Sequence, residues 1–168
     1  MIQGPLCNAG VRLARKDPGQ SSSAPNHPGN PAWIVLGRVR VRSGRQAWLE
    51  EAPFHTPVFV VTHEKRDPWE RPGGTIFHFV NDGIAPALDQ AREAAGDRDV
   101  RIAGGGATIV EYVNAGLIDE FTIALSPVLF GSGVRLYEGV DPSRVALEPV
   151  RAEPTQRVTH LTFAVRKR

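Results

Sequence analysis

Three consecutive glycines, Gly104–Gly106, stand between an apolar run and a helix-like segment in IAGGGATIVEYVNAG (Ile102–Gly116). A strand that ends in glycines and leads directly into a helix exposes the backbone N–H groups of the first helical turn, and these groups attract anions. Thr108 adds a hydroxyl at the same place. The segment predicts either a phosphate-binding turn or a tight strand-to-helix connection, and it differs from the G-x-G-x-x-G dinucleotide pattern.

From Trp33 onward, short apolar runs alternate with helix-like segments. Runs that are rich in β-branched and aromatic residues and bounded by Gly, Pro or Asp predict buried strands. These runs are Trp33–Gly37, Pro57–His63 and Thr75–Val80. Further strands, without a prediction of burial, are expected at Asp99–Ala103, Glu120–Gly133, Arg144–Pro154 and Arg157–Arg168. Two helices are predicted, one over Asn81–Gly96 with Asp82 as its N-cap and one over about Ala107–Ala115.

Strand–helix–strand units in the middle of the chain favour parallel pairing, and the strand-rich end favours antiparallel pairing at one side. The predicted fold class is therefore α/β, with a mixed, mostly parallel sheet flanked by helices. The 168 residues suffice for one domain. Prolines, glycines and serines punctuate residues 1–31, which predicts an irregular or flexible N-terminal arm before a domain at 32–168. Within the arm, Val11 and Leu13 indicate at most a short extended piece.

Composition excludes several classes of function. A net charge of +2 is too small to indicate a nucleic-acid partner. The longest aliphatic or aromatic runs have four residues, against the roughly 20 that a membrane span needs. Cys7 is the single cysteine and no histidine pair has the helical spacing of a metal site, so neither a disulfide nor a metal is expected. Without a signal-peptide pattern, the expected location is cytoplasmic.

Two further segments follow predicted strands. The segment LGRVRVRSGR (Leu36–Arg45) contains four arginines. A guanidinium group can bind the extra 2′-phosphate that distinguishes NADP from NAD through two hydrogen bonds. The same pattern also fits a strand with one solvated arginine face, because arginines alternate there with valines. Thr62 and His63, at the end of the second predicted strand, either contact a nucleotide or simply cap the strand. Both alternatives stay open at both segments.

Taken in order, LGR (Leu36–Arg38), PVFVVTH (Pro57–His63), Ile102–Gly139 and VTHLTFAV (Val158–Val165) resemble the dihydrofolate-reductase-like family, in particular its RibD C-terminal branch. The run LIDEFTIALSPVLFGSG is the most specific element, and the resemblance extends from about Trp33 to the C-terminus. It implies an α-β-α sandwich that binds NADPH. The cofactor contacts that it implies are Gly37, Arg38, Thr62, His63, Gly104, Gly105, Gly106, Ala107 and Thr108.

The resemblance also implies a function. Members of this family are NADPH-dependent oxidoreductases that transfer a hydride to a pyrimidine- or pteridine-like substrate, as in riboflavin biosynthesis. They are often homodimers through the strand-rich C-terminal half. No catalytic acid or base is assigned, because the nicotinamide itself carries the hydride chemistry.

Family members begin with a strand and a helix that shape the substrate pocket, and residues 1–31 show no such pattern. The sheet is therefore expected to lack its usual N-terminal strand. Two alternatives to an active reductase follow, namely a non-catalytic dimeric nucleotide-binding module and a truncated family member with an unpaired sheet edge.

Overall fold

The computed structural model of the protein describes residues 11–13, 33–36, 55–129, 131–133 and 135–168. These residues form nine strands and two helices. In chain order they are β1 (Val11–Leu13), β2 (Trp33–Leu36), β3 (Val58–Val61), β4 (Trp69–Arg71), β5 (Thr75–Val80), α1 (Ile84–Ala95), β6 (Val100–Gly104), α2 (Gly106–Asn114), β7 (Ile118–Leu125), β8 (Val145–Pro154) and β9 (Thr159–Lys167). The two predicted helices and the predicted strands from Trp33 onward are present, with ends shifted by at most three residues, except that β7 ends at Leu125, eight residues before the predicted end at Gly133. Residues 37–45, for which a strand with one solvated arginine face was one of two interpretations, lie outside the described residues.

All nine strands join in one sheet, in the order β4-β5-β3-β2-β6-β1-β7-β9-β8. β2, β3, β5 and β6 are parallel to one another, through the pairs β2–β3, β2–β6 and β3–β5. The five other pairings of the described strands are antiparallel. The prediction of a mostly parallel sheet is not confirmed. β1 enters antiparallel between β6 and β7, and β4 pairs antiparallel with β5 after a short turn. These pairings add to the antiparallel pairing that was expected at the strand-rich end.

β1 lies inside the sheet, between β6 and β7. Val11 pairs with Ile102 on one side and with Phe121 on the other. The expectation that the sheet lacks an N-terminal strand is wrong, because β1 is a strand near the N-terminus and is part of the sheet. A gap at this position would leave facing rows of N–H and C=O groups on β6 and β7 without partners, which is costly. The remainder of the predicted arm, residues 1–10 and 14–31, lies outside the described residues, and the predicted domain boundary at residue 32 stays a prediction.

α1 covers the parallel half of the sheet, in contact with β2, β3 and β6. Its buried residues are Ala87, Leu88, Ala91 and Ala95. The spacing of three and four residues places these side chains on one face of the helix. The helix begins at Ile84 with Gly83 as its N-cap, not with Asp82 as predicted. Gly83 has a φ of 101°, which glycine adopts far more readily than other residues, so the backbone turn fixes where the helix begins.

The other half of the sheet ends in a long hairpin. β8 is the outermost strand and pairs with β9 from Val145 to Pro154. The register of this pairing shifts between Pro149 and Arg151. Leu147 and Val150 on β8 are exposed to solvent.

Tyr112 connects the two helices. Its side chain on α2 is fully buried, and its hydroxyl donates a 2.7 Å hydrogen bond to the carbonyl oxygen of Ile84, the first residue of α1. Burial raises the pKa of Tyr112 far above its ordinary value of 10.0, and the carboxylate of Glu111 adds to the shift. The neutral phenol is therefore part of the folded core.

The free energy of unfolding is expected to fall as the pH rises above about 10. The pKa of Tyr112 is higher in the folded chain than in the unfolded chain, so its contribution is complete below the unfolded value and is lost at alkaline pH. Tyr112→Phe removes the hydrogen bond, costs about 1 kcal/mol at neutral pH, and flattens the alkaline decline. Urea unfolding of the unaltered chain and of Tyr112→Phe over a pH series measures the two free energies of unfolding. If both free energies declined equally at alkaline pH, the result would contradict the role of Tyr112.

Candidate functional site

One edge of the sheet collects the chain segments that follow five strands. β2, β3, β5 and β6 are parallel, and β7 runs in the same direction as β6 because both pair antiparallel with β1. The carboxyl ends of all five strands therefore share one edge, which we call the carboxyl edge. In α/β sheets, ligands bind outside the carboxyl ends of the strands.

The N-terminus of α2 opens at the carboxyl edge. Gly105 is the N-cap, with extended backbone (φ −75°), and no side chain hydrogen-bonds to the cap. The first turn is closed by the Ile109 N–H, which donates to the Gly105 carbonyl at 3.1 Å, and it contains no acidic residue. Gly105, Gly106 and Ala107 are exposed. The N–H groups of this turn are consequently available to an anion.

The two exposed glycines leave open space above the helix. A Cβ atom built on Gly105 or Gly106 would meet no atom within 4 Å. Neither residue has a positive φ. Neither internal packing nor backbone conformation therefore requires glycine here, and a backbone without side chains allows a ligand to approach closely. The residues present fit the diphosphate of a dinucleotide.

Thr108 behaves differently from the glycines that precede it. The residue is only 7% exposed, because the third position of α2 turns towards the sheet. Its role as a hydroxyl donor to the anion stays a prediction.

The chain after β3 is tied to the end of β5 by two hydrogen bonds. The Thr62 N–H donates to the Val80 carbonyl at 3.0 Å, and the Asn81 side-chain amide donates to the Thr62 carbonyl at 3.3 Å. The Thr62 hydroxyl oxygen accepts from the Glu64 N–H at 3.2 Å, which leaves its own proton to donate. His63 follows and is exposed.

Thr62 and His63 thus lie on the same edge as the N-terminus of α2. β3 and β6 are separated only by β2, a distance of about 10 Å across two strand spacings. Asn81 was not among the predicted site residues, although an asparagine directly after a strand is a common end-of-strand signal. Gly37 and Arg38, the predicted contacts after β2, lie outside the described residues.

A second concave feature lies at the carboxyl end of β7. It is an open cleft of about 520 Å³, a size within the usual range of ligand pockets. Its walls are Leu125–Leu129 and the turn between β8 and β9, Thr155–Thr159. Leu125, Val128 and Leu129 expose more than half of their surface. Sequence patterns did not predict the cleft, because its two walls are separated by about thirty residues of chain.

Among the residues that the structure describes, no group of three or more His, Cys, Asp or Glu side chains is placed to hold a metal ion. Neither α1 nor α2 is long and apolar enough to cross a membrane.

Known proteins resemble the chain in both sequence and structure. YyaP of Bacillus subtilis (strain 168), a protein of uncharacterised function, is 34% identical over 59 residues, which are 35% of this chain. The match spans 31% of the length of YyaP, so this chain corresponds to only part of that relative.

Two crystal structures are also similar. A Shewanella sp. PV-4 protein, described as a riboflavin biosynthesis protein, has 26% identity and a TM-score of 0.56, covering 80% of this chain and 74% of its own. A Thermotoga maritima diaminohydroxyphosphoribosylaminopyrimidine deaminase/5-amino-6-(5-phosphoribosylamino)uracil reductase has 16% identity and a TM-score of 0.47, covering 79% of this chain and 45% of its own.

The family model of the RibD C-terminal domain matches residues 16–161, which is most of the chain. The match includes β2 to β8, α1, α2 and the start of β9, and therefore both the chain after β3 and the N-terminus of α2. The chain therefore belongs to the RibD C-terminal domain family.

Proposed function

We propose that the protein is an NADPH-dependent reductase of the RibD C-terminal type, which acts on a pyrimidine- or pteridine-like substrate. The observation that carries the proposal is the N-terminus of α2, where exposed N–H groups and two glycines without internal packing form a cradle at the carboxyl edge. Such a helix terminus binds phosphate groups. Membership of the family supports the same function.

The chain's own residues would hold the cofactor in two places. The N–H groups at Gly106 and Ala107 bind the diphosphate, and the partial positive charge of the helix terminus stabilises its negative charge. The Thr62 hydroxyl and the His63 imidazole, on the far side of β2, contact the adenosine half. Arg38 after β2 is proposed for the 2′-phosphate, since a guanidinium pairs with phosphate through two hydrogen bonds.

The substrate would lie on the opposite side of α2. With the adenosine half directed towards β3, the nicotinamide half extends towards β7, where the open cleft of about 520 Å³ has room for a ring. When bound, the nicotinamide supplies the hydride. The apolar side chains of Leu125, Val128 and Leu129 offer contact surface to a planar ring, and Ser126 and Thr159 offer hydroxyls to a heterocycle.

We further propose that the protein is a homodimer through its strand-rich C-terminal half. Leu147 and Val150 on β8 expose 40% and 55% of their surface. Exposed apolar side chains on an outer strand support association with a second copy.

Titration with NADPH tests the function. The fluorescence of the reduced nicotinamide is expected to change saturably below millimolar cofactor, and NADPH is expected to be consumed when a pyrimidine or pteridine substrate is added. Absence of a saturable change up to millimolar NADPH would refute the proposal. Binding without turnover on any such substrate would favour a nucleotide-binding module instead, and light scattering of the same sample gives the oligomeric state.

A further inference from the structure

The chain between β3 and β4 carries one side of the proposed cofactor site without regular secondary structure. Residues 62–68 form no helix or strand, and all but Thr62 are exposed. A segment of this kind samples many backbone conformations unless specific contacts hold it. The contacts that restrict the backbone around His63 include the hydrogen bonds at Thr62 and the Arg66 guanidinium over the Phe79 ring, 5.8 Å from its centroid.

Asn81 supplies one of these hydrogen bonds from a neighbouring strand. The residue directly follows β5 and is half-buried. Its side-chain amide reaches across to the end of β3 and donates to the Thr62 carbonyl oxygen at 3.3 Å. The two residues are 19 positions apart in the chain.

The bonded carbonyl belongs to the peptide unit that joins Thr62 to His63. A peptide unit is planar, so holding its oxygen also fixes the direction of the His63 N–H. The Thr62 N–H is already held by Val80. Asn81 therefore restricts the rotation of the peptide unit that leads into His63.

We propose that Asn81 is a positioning residue for the adenosine half of the cofactor, an inference that rests on the proposed NADPH binding. It does not touch the nucleotide. It orients the Thr62–His63 peptide so that the Thr62 hydroxyl and the His63 imidazole meet the ligand without first being ordered. Such preorganisation increases affinity because the ordering cost is met during folding and not during binding.

Asn81→Ala is the direct test, with Asn114→Ala as a matched control. Asn114 is also half-buried, and its amide donates to a backbone carbonyl, that of Gly139, at 2.8 Å. It lies at the C-terminal end of α2, away from the carboxyl edge. Asn114→Ala loses this bond and a second one, because the Asn114 Oδ1 also accepts from the Asp141 N–H at 2.9 Å. The control therefore removes at least as much hydrogen bonding as Asn81→Ala does, and it does so away from the proposed site.

The probes are NADPH, adenosine 2′,5′-bisphosphate and reduced nicotinamide mononucleotide, titrated against the full chain. Asn81→Ala is expected to lower the affinity for NADPH and for adenosine 2′,5′-bisphosphate by about three- to tenfold, which corresponds to the loss of one hydrogen bond. The affinity for reduced nicotinamide mononucleotide is expected to stay within about twofold of that of the unaltered chain. Asn114→Ala is expected to lower the thermal midpoint without changing any of the three affinities. If Asn81→Ala does not fold, Asn81→Leu keeps the volume of the side chain and removes the same donor.

The outcomes separate the two proposals. Suppose that the unaltered chain binds NADPH and that the Asn81→Ala variant has the same affinity as the unaltered chain for all three probes. The positioning role is then overturned, and the NADPH proposal stands. Equal weakening of all three probes, or weakening of the nicotinamide mononucleotide alone, also overturns it. If the unaltered chain binds none of the probes, the proposed function itself fails and takes the role of Asn81 with it.

Discussion

Gly106→Asp is expected to weaken NADPH binding at least about tenfold, with the fold preserved. A side chain at this position enters open space, since a Cβ atom would meet nothing within 4 Å. An acidic residue in the first turn of a helix also interacts favourably with the helix dipole, so stability is expected to be unchanged or slightly higher. The same carboxylate occupies the place of the diphosphate and repels it.

Two variants separate charge from other effects. Gly106→Ala adds only a methyl group and is expected to weaken NADPH less than the acid does. Gln90→Glu adds the same negative charge at an exposed position of α1 and is expected to leave NADPH affinity unchanged. Fluorescence titration of the three variants gives the comparison. Tight NADPH binding by a folded Gly106→Asp variant would show that the cofactor does not use the N-terminus of α2.

Leu88→Ala is expected to lower the free energy of unfolding by about 2–5 kcal/mol. Leu88 is 1% exposed and lies in the middle of the buried face of α1. Its neighbours on this face, Ala87 and Ala91, are fully buried and too small to fill the space that the substitution leaves. The variant therefore loses both apolar burial and packing contacts around the resulting cavity.

Urea unfolding with an unchanged m-value measures this loss. Gln90→Ala is the matched control, because Gln90 is exposed on the same helix. It is expected to change stability by less than about 0.5 kcal/mol. A Leu88→Ala variant as stable as Gln90→Ala would mean that α1 does not pack on the sheet through this face.

Strands with strong local patterns could be predicted from the sequence, and short ones could not. Thr75–Val80 is a run of β-branched and aromatic residues, and β5 has the same bounds. β4 was missed because it has three residues, Trp69–Arg71, between segments rich in proline and charge. It forms through pairing with β5, and the ring of Trp69 lies 5.7 Å from that of Phe77. This contact depends on tertiary structure and leaves no periodic pattern.

Strand direction was the larger error, and its cause is also non-local. Whether β1 runs parallel or antiparallel to β6 depends on where the chain enters the sheet, which no pattern within Val11–Leu13 specifies. The candidate site also has one part that could be predicted from the sequence and one part that could not. The glycine segment before α2 is a local feature and could be predicted, whereas the hydrogen bond from Asn81 to Thr62 joins two segments that only the folded sheet brings together.

The outer strand β8 restricts how two copies of the chain can associate. An outer strand with an unbroken row of N–H and C=O groups can pair with the same strand of another molecule and extend into fibres. On β8, Pro149 and Pro154 each remove a backbone donor, and the register shift after Pro149 bends the strand. Edge-to-edge polymerisation is therefore disfavoured. Two copies that meet at this surface are expected to do so through side chains such as Leu147 and Val150, so that assembly stops at a closed pair.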